Sequence, residues 1–69
     1  MDNQNLVTMA NNIGAFFKSE PDRELAIKGV EQHLRNFWEP RMRSAIIAHS
    51  QTHSDEMLDI VIEAVKRLS

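Results

Sequence analysis

The chain has 69 residues, of which 42% are hydrophobic and 26% charged, with a formal net charge of −2 and no cysteine. That length holds a single domain, residues 1–69, which buries only about 60% of its unfolded surface, so a partner is a natural source of extra stability. The absence of cysteine excludes disulfides, thiolate zinc sites and cysteine-ligated iron–sulfur clusters within this chain, and the charge balance gives no overall drive toward nucleic acid or an anionic membrane.

A cysteine-free chain fits a reducing cytoplasm. The opening MDNQNLVTMANN has no basic segment followed by an apolar run, so no secretory signal is expected. No apolar stretch nears the roughly 20 residues that cross a bilayer, so no membrane role is expected either.

In chain order the periodicity is helical. Leu6, Met9, Ala10, Ile13 and Phe16 or Phe17 recur at three- and four-residue steps and predict a helix from Asp2 or Asn3 to about Lys18. Gly14 weakens that helix by up to about 1 kcal/mol relative to alanine, which makes a close packing contact its natural explanation. In SEPD, Ser19 reads as a cap, Pro21 as a first-turn residue and Asp22 as a negative charge at a helix start. The helix that follows carries Ala26 or Ile27, Val30, Leu34, Phe37 and Trp38 on its apolar stripe. Pro40 disfavours helical geometry at Glu39 and suits the first turn of a third helix bearing Met42, Ala45, Ile46 and His49. HSQTHSDE reads as a joint, with Ser54 the cap and Asp55 and Glu56 in the first turn of a last helix. That helix carries Leu58, Val61, Ala64 or Val65 and Leu68, and ends in Lys66 and Arg67, the charge sign that a helix C-terminus favours. No segment alternates with period two. The expected fold is all-α: a small bundle of about four short helices.

Adjacent apolar residues complicate the stripes. Phe16 is next to Phe17, Ile46 next to Ile47, and Val61 lies between Ile60 and Ile62. Neighbouring helical positions point about 100° apart, so both members of a pair cannot occupy the centre of one buried face. Either the apolar arcs are wide and enclosed, or some of these side chains form an outer surface for a partner.

Catalytic constellations are missing. Both glycines, Gly14 and Gly29, are isolated, and the carboxylates cluster where helix starts explain them. His49 and His53 have the i, i+4 spacing of a zinc pair, but further ligands are not evident and His33 flanks an apolar stripe, so no metal site is expected. The segment RNFWEPRMR places Arg35, Arg41 and Arg43 around the single tryptophan, Trp38. It offers three readings: a cationic stacking patch for nucleic acid, the plain end of a core stripe, or a protein-docking corner rich in the residue types that dominate binding hot spots. Glu31, Glu39 and the net negative charge oppose the first, and the docking corner fits best.

The stretches LVTMANNIGAFF, GVEQHLRNFWEPRMRSAIIAH and LDIVIEAVKRL, in that order, resemble the delta subunit of soluble NAD-dependent formate dehydrogenases. The FW-PRMR core is the specific part. The resemblance implies a non-catalytic small subunit that binds the large subunits and supports assembly, stability or cofactor loading in the cytoplasm. Formate oxidation and NAD reduction then belong to the large subunits. These carry a molybdenum or tungsten bis-pterin centre, iron–sulfur clusters and FMN, and this chain itself binds none of them. It further implies Arg35, Trp38, Pro40, Arg41, Met42 and Arg43 as partner-binding positions, with Arg41 and Arg43 reaching outward. Met9, Ile13, Phe16, Phe17, His33, Leu34 and Phe37 are then core or signature positions, with Leu34 and Phe37 holding the helices together. The alternative is a free-standing helical homodimer acting as a regulator or on nucleic acid.

Overall fold

A computed structural model describes residues 2–69, and every element in it is helical: α1 (Asn3–Phe17), α2 (Arg23–Phe37), α3 (Pro40–His53), a 3₁₀ turn (Ser54–Glu56) and α4 (Asp59–Leu68). The all-α expectation holds. Asp2 caps α1 by accepting from the Gln4 amide at 3.0 Å. The cap of α2 is Asp22, not Ser19. Its Oδ1 accepts from the Glu24 and Leu25 amides, while Glu20 accepts from the amide of Asp22 itself, so Pro21 falls before the helix rather than in its first turn. Pro40 is the first residue of α3, where its missing N–H costs nothing.

The joint into α4 departs from expectation more sharply. Ser54 does not cap α4, because the 3₁₀ turn that it opens ends at Glu56, and Met57 and Leu58 are both extended. Burying Met57 pulls the chain straight and delays α4 to Asp59. Leu58 has no side-chain oxygen to offer the start of that helix. The Asn11 carboxamide of α1 takes the Leu58 amide instead (3.0 Å), and Asp59 Oδ1 accepts from Ile60 (3.0 Å).

Helix α2 packs most extensively against α4, with α1 beside both and α3 closing the edge. The most enclosed side chains are Ile27, Val30 and Leu34 of α2, Ile46 of α3, and Val61 and Val65 of α4. On α4 the wide-arc reading holds, since Ile60, Val61, Ala64 and Val65 are all buried. Met9 and Ile13 pack half-buried against this core.

Two glycines set the helix spacings. A Cβ built on Gly14 falls 2.5 Å from Val61 Cγ2 and 3.2 Å from Leu58 Cδ1, so α1 and α4 meet closely at this point, as the sequence suggests. A Cβ on Gly29 falls on the ring of Phe17. The two neighbours differ in freedom: Val61 is fully enclosed, whereas Phe17 is half-buried and can swing outward. Gly14→Ala is therefore expected to lower stability by about 1 kcal/mol, overpacking outweighing the gain in helix propensity. Gly29→Ala is expected at or above the wild-type melting temperature. Thermal unfolding followed by circular dichroism reads both, and the same sign at the two sites would refute this account of the spacings.

Candidate docking surface

The corner between α2 and α3 is built by helix termination. Pro40 holds Glu39 extended, and Trp38, also extended, is the first residue outside α2. Its side chain turns inward and is only 6% exposed. The tryptophan expected on a docking corner is thus a core anchor, and it offers no stacking platform for a base. Phe37, expected to hold helices together, is 72% exposed. Leu34 is fully enclosed, as expected.

Two of the three arginines are engaged inside the fold. Arg43 Nη1 donates to the Arg35 carbonyl (3.1 Å) and to the Trp38 carbonyl, closing the C-terminal end of α2. This inward reach corrects the expectation that Arg43 reaches outward. Arg35 pairs with Glu31 (3.0 Å) and donates from Nη2 to the Arg67 carbonyl (2.6 Å), so it also holds the end of α4. Arg41 and Pro40 are exposed and Met42 half-buried. Among the described residues Arg41 makes no ion pair.

The exposed apolar surface lies next to this corner, on α1 and α2. Gly29, His33 and Phe37 follow one another at four-residue spacing along one side of α2, while the exposed Leu25 lies about 120° round the helix from Phe37. The ring of Phe17 lies over Gly29, and Phe16 stands edge-on to Phe17 with centroids 5.1 Å apart. Phe16, expected in the core, is 76% exposed because Gly29 makes room for only one of the two rings. His33 and Phe37 are in tilted contact at 4.8 Å. Between the helices a shallow groove is lined by Asn12, Ile13, Phe16, Phe17 and His33.

Polar clusters away from this strip serve the fold. His49 and His53 lie on one face of α3, as their spacing implies, but their rings stack at 4.5 Å and 7°. His49 Nε2 meets Glu56 Oε1 at 3.0 Å, and Gln4 Nε2 donates to the same oxygen at 3.1 Å. Asn11 Nδ2 donates to the Glu56 carbonyl at 2.9 Å. Gln4, Asn11, His49 and Glu56 thus form a latch joining α1, α3 and the joint into α4. Among the described residues no three His, Asp or Glu side chains converge as metal ligands. A second clamp is the bidentate pair of Arg67 with Glu24, at 2.6 and 2.8 Å, tying the end of α4 to the start of α2.

Both clamps favour ionised carboxylates. The hydrogen bond from Arg67 holds Glu24 below the usual carboxylate range, and hydrogen bonds from His49 and Gln4 do the same for Glu56. A carboxyl lowered on folding contributes stability that is present above its unfolded pKa and is lost as pH falls through its folded one. The melting temperature is therefore expected to drop as pH falls below the ordinary carboxylate range. The Glu24→Gln/Glu56→Gln variant is expected to show a flatter profile over that window, and an unchanged profile would remove these pairs from the account.

A sequence-family model described as NADH-dependent formate dehydrogenase delta subunit FdsD matches residues 5–65. The chain belongs to this family. No curated protein and no solved structure matches it. The matched span of this FdsD chain includes all of α1 beyond its first two residues, all of α2 and α3, and most of α4. It therefore takes in both the RNFWEPRMR corner and the aromatic strip. As a delta subunit of a multi-subunit formate dehydrogenase, the chain has other subunits as partners. No described helix is long and apolar enough to cross a membrane.

Proposed function

We propose that this FdsD chain is a non-catalytic subunit that binds the large subunits of a cytoplasmic formate dehydrogenase and supports assembly, stability or cofactor loading of the complex. The observation that carries this reading is the family match over residues 5–65. The distribution of chemistry in the chain supports it: Arg35, Arg43 and His49 hold helix ends and joints, while large apolar side chains lie outside. In this reading the molybdenum or tungsten bis-pterin centre, the iron–sulfur clusters, FMN and the NAD site belong to the large subunits. The chain has no cysteine with which to ligate a cluster.

Capture of the tagged chain from its native cytoplasm at gentle salt, with mass and metal analysis of the eluate, tests the proposal. The expected eluate contains the large subunits in fixed ratio, molybdenum or tungsten, and formate:NAD activity. Recovery of the chain alone would contradict it. Arg41→Glu reverses a charge at the exposed part of the corner and leaves the arginine clamps intact. Undiminished capture by that variant would remove Arg41 from the partner-binding positions.

A further inference from the structure

We draw no further inference here: the strongest candidate, the apolar strip around the exposed Phe16 and Phe37 on α1 and α2, is an unpartnered face, and nothing in the structure shows what covers it.

Discussion

Replacing Trp38 by alanine is expected to unfold a large share of the population at 37 °C, while replacing the adjacent Phe37 by alanine leaves folding nearly untouched. Truncating a buried aromatic costs about 3–5 kcal/mol. A domain of this length has a total stability of roughly 3–10 kcal/mol, at about 0.05–0.15 kcal/mol per residue. The loss at Trp38 therefore takes much of what there is. Phe37 is mostly solvated and gives up only its contact with His33, within about 1 kcal/mol. Urea denaturation followed by far-ultraviolet circular dichroism measures both. Equal losses, or a larger one at Phe37, would contradict the described corner.

The second large effect is expected at Asn11, to which neither helical periodicity nor capping assigns a role. Its carboxamide donates to the Glu56 carbonyl and accepts from the Leu58 amide, across 45 and 47 residues of chain. Asn11→Ala leaves both backbone groups without their partner in a half-buried joint. Each such orphan costs about 1–3 kcal/mol, so a total loss of about 2–4 kcal/mol is expected. Asn11→Asp retains the acceptor for Leu58 and not the donor for Glu56, so it is expected to recover part of that loss. Hydrogen exchange localises the effect: the amides of Leu58 and the first turn of α4 should lose protection first. An Asn11→Ala variant as stable as wild type would show that water replaces the carboxamide at no cost.

The legible parts of this chain were the local ones. Asp2 before a three–four apolar repeat marks the start of α1 to within a residue, Pro40 marks the first position of α3, and Lys66 with Arg67 marks the end of α4. The misread parts each depended on something non-local. Helical phase places Phe37 and Trp38 on one stripe, but Trp38 lies beyond the last helical residue in extended geometry, where that phase no longer applies. Its burial follows from the turn, not the period. Likewise the choice between Phe16 and Phe17 is made by Gly29 on the next helix, which admits one ring. Ser54 has the chemistry of a cap, yet burial of Met57 separates it from α4. The arginines of RNFWEPRMR read as partner residues by type, and only the tertiary fold reveals that two of them serve carbonyls at helix ends. The aromatic strip is the consequence of the first two of these events: wherever one aromatic of a pair turned in, its neighbour was left outside.

Purifying the formate dehydrogenase complex from cells with and without this chain tests the central claim most directly, with assembled fraction, metal content and the KM for formate measured on each preparation. A non-catalytic subunit predicts a several-fold lower yield of assembled, metal-loaded complex without the chain. It also predicts an unchanged KM in whatever complex does assemble. Equal yield and metal content in both preparations, or a changed KM at full assembly, would contradict it.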